Sequence, residues 1–155
     1  MKLSEDGLKF HKRWEGFESE PYLDIAGVPT IGYGSTFYPE GTKVAMSDQP
    51  ISEERATEIM QSVLLKFENG VTELVKKRLN QHQFDALVSF AYNLGLGNLK
   101  RSTLLKRINA NPKDPMIPNE FTKWVRAGGK PVLGLARRRL QEAYLYTFGW
   151  DGLAF

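Results

Sequence analysis

Leu3, Phe10, Trp14 and Phe17 recur at spacings of seven, four and three, and Ser4 stands just before Glu5 and Asp6. One apolar face, a hydroxyl cap and an acidic first turn predict a first helix that stops near Gly16. The texture then changes. From Pro21 to Met46, Tyr22, Leu23, Val28, Thr30, Ile31, Tyr33 and Val44 are punctuated by Gly27, Pro29, Gly32, Gly34, Pro39 and Gly41. That pattern predicts a small antiparallel sheet with tight turns. After Pro50, Ser52 is placed as a helix cap and Ile51 as a staple on Ala56. Ala56, Ile59, Met60, Val63, Leu64, Phe67, Val71, Leu74 and Val75 then hold one helical face, interrupted in propensity only at Asn69-Gly70.

So long a helix, spanning about 52–78, reads as a link between a sheet-bearing lobe at about 16–50 and a helical lobe at about 80–155 that takes in the N-terminal helix. Within the helical lobe, Asn80 and Gln83 form a cap pair before Phe84, Leu87, Val88, Ala91 and Leu94. Ser102 caps a short helix to Ile108, and another helix surrounds Phe121 to Val125. The last begins near Leu135 and ends near Gly149, while Asn111 to Asn119, with three prolines, is a loop. The expectation is an α+β fold in a single domain.

Composition narrows the chemistry. A chain of 155 residues that is 41% hydrophobic and 25% charged can bury a sizeable core. It contains no cysteine, which excludes disulfides, thiolate zinc sites and a cysteine nucleophile and suits a reducing cytoplasm. Charged residues interleave through Met1 to Gly16, so no apolar run there suits a signal peptide or a membrane span. Residues 1–50 carry 5 basic and 8 acidic groups, and residues 51–155 carry 16 and 10. The basic part favours polyanions in general: nucleic acid, an anionic membrane face, or a carboxylate-rich wall. Gly27, Gly32 and Gly34 spell neither a dinucleotide fingerprint nor a phosphate loop. His11 and His82 lack metal-ligand spacing, and Ser35, Ser89 and Ser102 sit in no nucleophile elbow.

One constellation carries chemistry. Glu15 ends the first helix, Asp24 enters a hairpin nine residues later, and Thr30 follows six residues on. A turn through Ile25 to Pro29 is expected to set Asp24 opposite Thr30 on one face of the strand pair. Glycoside hydrolysis needs an acid that protonates the leaving oxygen and a second carboxylate that activates water or attacks carbon. Beside Trp14 and Phe17, at the negative end of a helix dipole, Glu15 is expected to hold its proton more tightly than a free glutamate. Asp24, among backbone N–H groups and Thr30, is expected to stay ionised. Either residue alone is unremarkable, since an aspartate before a turn ordinarily caps that turn.

The whole string Glu15-Gly16, Tyr22, Asp24, Gly27, Thr30-Ile31-Gly32-Tyr33-Gly34 resembles the catalytic signature of the phage-type lysozymes, the endolysin family that includes T4 lysozyme. The resemblance continues through Asn80 to Gly95 and Trp124 to Arg139, with its Ala-Gly-Gly-Lys turn, and so spans nearly the whole chain. Ser35 departs from it, standing where T4 lysozyme carries a histidine that is not a catalytic group. The resemblance implies a lysozyme-like fold, with a small antiparallel sheet lobe and a larger helical lobe joined by a long helix and the glycan cleft between them. It implies Glu15 as general acid, Asp24 as partner carboxylate and Thr30 as a holder of the attacking water, with no metal and no cofactor. It further implies that an arginine of the last helix supports the glutamate. Arg137 aligns best for that role, and of the run Arg137-Arg138-Arg139 one member is expected to face inward.

Tyr33 is a candidate for stacking on a sugar, whereas Trp14 and Trp124 are expected in the core. The activity implied is hydrolysis of the β-1,4 link from N-acetylmuramic acid to N-acetylglucosamine in bacterial peptidoglycan, with inversion. The setting implied is a monomer held in the host cytoplasm before release to the wall, without nucleic acid or stable membrane insertion. Two other classes remain open on sequence: a non-catalytic wall-binding or tail-associated module of the same fold, and a basic nucleic-acid binder. Within the enzyme class, a chitinase-like specificity also remains, because two carboxylates do not encode the lactyl group.

Overall fold

A computed structural model describes residues 1–153, and in it the chain divides into two compact units, Lys9–Lys66 and Met1–Leu8 with Phe67–Phe155. Helix α1 (Glu5–Glu15) begins where expected, with the Ser4 hydroxyl accepting from the Gly7 N–H at 2.9 Å. Strands β1 (Glu18–Leu23) and β2 (Pro29–Gly32) pair antiparallel, with Tyr22 opposite Thr30 and Leu23 opposite Pro29. Between the Glu18–Gly32 and Tyr22–Thr30 pairs, β1 advances four residues while β2 advances two. Pro21, which has no N–H for the ladder, falls in that irregularity. The chain turns back once more, through bridges between Ile31 and Ser35 and between Phe37 and Lys43. Asp48 fixes the loop that follows by accepting from the Tyr38 hydroxyl at 2.7 Å and the Ala45 N–H at 2.9 Å. Burial and that acidic partner push the Tyr38 phenol up to about 12.

Helix α2 (Glu53–Leu74) opens with the Ser52 hydroxyl accepting from the Arg55 N–H at 3.1 Å. In the Lys9–Lys66 unit its buried Ala56, Ile59, Met60 and Leu64 join Phe10, Ile31, Tyr33 and Val44 as the core. Gly32 lies flat against this helix: a β-carbon there would stand 3.1 Å from Ala56 Cβ and 3.3 Å from Ile51 Cδ1. Helix α2 ends at Leu74, short of the expected Arg78. The cause is a distant side chain. Asn109 accepts from the Lys76 N–H at 2.7 Å and donates to the Leu74 carbonyl at 3.0 Å, closing the helix end. Asn69-Gly70 does not break the helix, and Gly70 leaves the space that Leu96 fills, since a β-carbon there would collide with both Leu96 methyls.

The other unit is built around α3 (Gln81–Leu94), whose residues Phe84 to Ala91 are all buried. Its start carries the reciprocal Asn80–Gln83 cap expected from sequence. Helix α4 (Leu96–Arg101) was not legible in the apolar pattern, whereas α5 (Thr103–Ala110) begins at the expected Ser102 cap. Helix α6 (Ile117–Phe121) stands earlier than expected because Pro118 suits a helix's first positions. Strands β3 (Arg126–Ala127) and β4 (Lys130–Pro131) form a hairpin across Gly128-Gly129, and α7 (Leu133–Phe148) closes the unit. Two arginines of the triple run face inward, not one. Arg138 and Arg139 are both buried and pair with buried Glu142 at 3.4 and 2.6 Å, while Arg137 is exposed. Among the described residues no helix is long and apolar enough to cross a membrane.

Candidate active site

All three residues of the expected constellation fall in the Lys9–Lys66 unit. Glu15 is the last residue of α1, half-buried, and the helix stops there because Gly16 takes a φ of +70°, which side-chain-bearing residues rarely adopt. Lys12 and Arg13 occupy the same last turn, where cations oppose the negative end of the helix dipole. Gly34, at φ +83°, lies alongside the carboxylate, since a β-carbon there would stand 3.8 Å from Glu15 Oε2. That contact is ordinary, so backbone conformation rather than space calls for glycine at the turn.

Asp24 leaves β1 and anchors the turn into β2. Its Oδ1 accepts from the N–H groups of Ala26 and Val28, both at 2.9 Å. Its own N–H donates to the Val28 carbonyl at 3.0 Å, and its carbonyl accepts from Gly27 at 2.9 Å. Both side-chain bonds fall on Oδ1, and among the described residues none falls on Oδ2. The carboxylate is thereby held in position through one of its two oxygens.

Thr30 is 3% exposed, and its hydroxyl donates to the Val28 carbonyl at 2.9 Å. This corrects two expectations. Asp24 does not sit opposite Thr30: Tyr22 does, and Asp24 meets Val28, two residues further along. The two remain on one face because side chains alternate with a period of two. Nor does Thr30 bond the Asp24 carboxylate. Both are wired instead to Val28, whose N–H serves Asp24 and whose carbonyl serves the Thr30 hydroxyl and the Asp24 N–H. Val28 acts here through its backbone, which is why side-chain chemistry in the sequence did not mark it.

Tyr22 also escaped assignment. It is half-buried across from Thr30, and burial pushes its phenol above the ordinary value. The carboxylates of Glu18, Asp24 and Glu15 push in the same direction, so the phenol stays protonated at neutral and acid pH.

The remaining candidates fare differently. Tyr33 is 6% exposed, with its ring 5.5 Å from that of Phe17 and the Lys12 ammonium 5.6 Å from its centre. Those contacts occupy the ring, so it packs in the core rather than offering a face to a sugar. Trp14 stands edge-on to Phe10 and Trp124 edge-on to Phe90, and both tryptophans are half-buried at the margin of the core. Arg137 is exposed on α7, in the other unit. Among the described residues no cluster of three or more histidine, aspartate or glutamate side chains is arranged to hold a metal ion.

The phage lysozyme family model matches residues 12–142, a span that includes Glu15, Asp24, Thr30 and Val28. Over 149 residues the chain is 42% identical to the endolysin of Bacillus phage B103, covering 96% of this chain and 55% of that protein. The chain therefore spans about half the length of that relative. Among solved structures, an endolysin from Escherichia coli O157:H7 phage FAHEc1 is similar with a TM-score of 0.89 and 38% identity, covering 97% of this chain and 96% of that one. The muramidase domain of SpmX from Asticaccaulis excentricus is similar with a TM-score of 0.78 and 31% identity, covering 94% and 97%. The α+β architecture is thus a lysozyme-type fold, and the chain belongs to the phage lysozyme family.

Proposed function

We propose that the chain is an endolysin that hydrolyses the β-1,4 bond between N-acetylmuramic acid and N-acetylglucosamine in bacterial peptidoglycan. The observation that carries this reading is the wiring at Val28. With the Ala26 N–H it holds the Asp24 carboxylate through Oδ1, and it engages the hydroxyl of Thr30, which the register sets on the same strand face. In this mechanism Glu15 gives its proton to the leaving glycosidic oxygen. Asp24 takes a proton from water through the oxygen that the turn leaves open. Thr30, whose hydrogen is committed to Val28, offers an Oγ1 lone pair to the other hydrogen of that water. Two acceptors then orient one nucleophile, and attack on the face opposite the leaving group inverts the anomeric carbon.

The proposed setting is host-cell lysis by a cofactor-free monomer. It is made in the host cytoplasm and delivered to the wall by another protein, without binding nucleic acid or inserting in the membrane. The excess of basic groups in residues 51–155 suits a carboxylate-rich wall. Turnover of labelled, purified walls tests the assignment. Glu15→Gln is expected to fold normally and lose about 10²- to 10⁴-fold in rate, the usual share of a general acid. Asp24→Asn is expected to be severely impaired as well. Wild-type turnover in purified Glu15→Gln overturns the assignment. NMR of the first product reads the stereochemistry: an α-anomer supports inversion, and a β-anomer before mutarotation overturns it.

A further inference from the structure

Hydrogen-bonding capacity at the candidate site is lopsided. Ionised Asp24 only accepts, and the Thr30 hydroxyl has already donated to Val28. Glu15 carries one hydrogen, which the leaving oxygen consumes. A glycan presents ring, glycosidic and acetamido oxygens that need donors, and these three side chains offer only the one hydrogen of Glu15 between them.

Tyr22 supplies what is missing. It stands opposite Thr30 and two residues before Asp24, which places its side chain on the face that carries both. Among the described residues its hydroxyl makes no hydrogen bond to the protein, although the phenol lies near enough to Glu15, Asp24 and Glu18 to feel their charges. A phenol hemmed by carboxylates is a poor base and a durable donor. The attacking water is not its target, because a donor on the water's lone pair would blunt the nucleophile. We propose that Tyr22 is a substrate-contacting residue whose O–H donates a hydrogen bond to an acceptor oxygen of the sugar at the scissile bond. The role rests on the glycosidase reading of Glu15 and Asp24.

Tyr22→Phe tests it, since phenylalanine keeps the ring and removes only the hydroxyl. The substrate is a soluble oligosaccharide of alternating N-acetylglucosamine and N-acetylmuramic acid. A contact made equally in the bound and transition states raises KM and spares kcat. The expected result is a KM about 5- to 30-fold higher, with kcat within about 3-fold and an unchanged melting temperature. Equilibrium binding of the oligosaccharide to Glu15→Gln, with and without Tyr22→Phe, is expected to weaken by the same factor. An unchanged KM and affinity overturn the proposal, as does a fall in kcat that merely follows a fall in melting temperature. If Glu15→Gln abolishes turnover while Tyr22→Phe changes nothing, this inference alone fails. If Glu15→Gln retains turnover, the reading of the site fails with it.

Discussion

Replacing Glu142 by glutamine keeps its shape and removes one buried charge from between two buried arginines. Glu142 is fully buried; it accepts from the Ser89 hydroxyl at 2.6 Å and pairs with Arg139 at 2.6 Å and Arg138 at 3.4 Å. Arg139 also donates to Asn93 at 2.9 Å and lies over the Phe90 ring at 5.3 Å. Burial pulls the Arg139 guanidinium down from its ordinary value, and Glu142 opposes that pull. At an effective dielectric of about 20, the two contacts represent gross attractions of about 6 and about 5 kcal/mol. Desolvating three ions, with the two cations repelling each other, consumes most of that gain. Removing the shared anion leaves both guanidiniums buried without it, which costs about 3–5 kcal/mol. For a chain of this length the melting temperature is expected to fall by about 6–20 °C, followed by circular dichroism with urea unfolding as the second measure. A loss below about 1 kcal/mol would refute the argument, because it would mean the arginines find compensation without Glu142. The triple replacement Arg138→Leu, Arg139→Met, Glu142→Leu is expected to retain more stability than Glu142→Gln.

Two further outcomes follow from packing and burial elsewhere. Gly70→Ala drives a β-carbon into the Leu96 side chain, so it is expected to destabilise by about 1–3 kcal/mol. In a Leu96→Ala background the same change is expected to stabilise by up to about 1 kcal/mol through helix propensity, and urea titration of the four proteins reads the reversal of sign. Asp85, buried, accepts from Ser4 and Gln81, yet burial dominates and raises its pKa. A carboxyl raised on folding contributes most below its unfolded value, near about 3.9, and loses that contribution as pH rises through the folded value. Asp85→Asn is therefore expected to gain stability relative to wild type as pH rises from about 3 to 7, and a constant difference across that range would contradict it.

The parts of the fold legible in sequence are those set by local chemistry. Ser4, Ser52, Asn80 and Ser102 each cap a helix start because a side-chain oxygen a few atoms away satisfies a free N–H. Helix ends set from afar were not legible. The apolar face of α2 continues to Val75, and only Asn109, more than thirty residues on, closes the backbone at Leu74 and Lys76. The inward turn of Arg138 and Arg139 was half legible, since three consecutive positions cannot share one helical face. That both are accommodated depends on Glu142 and on Asn93 and Ser89 of α3, which periodicity within α7 does not reveal.

At the candidate site, the residue types were legible and the geometry was not. Placing Asp24 opposite Thr30 assumed a turn centred on Gly27, whereas the register puts the centre at Ala26, where Asp24 meets Val28. Turn capping and service as the partner carboxylate are competing readings of Asp24 from sequence. The structure gives a reason to join them. A free aspartate on a turn samples several rotamers, and a general base must be held close to one geometry to act. The two N–H bonds to Oδ1 supply that restraint without covering Oδ2. The same Val28 carbonyl that receives the Asp24 N–H takes the Thr30 hydrogen, so the turn that holds the carboxylate also engages the hydroxyl's hydrogen. Under the proposed mechanism an Asx turn is the device that positions Asp24 as the base, and side chains at positions 24 and 30 depend on a backbone at 28 that any residue but proline could provide.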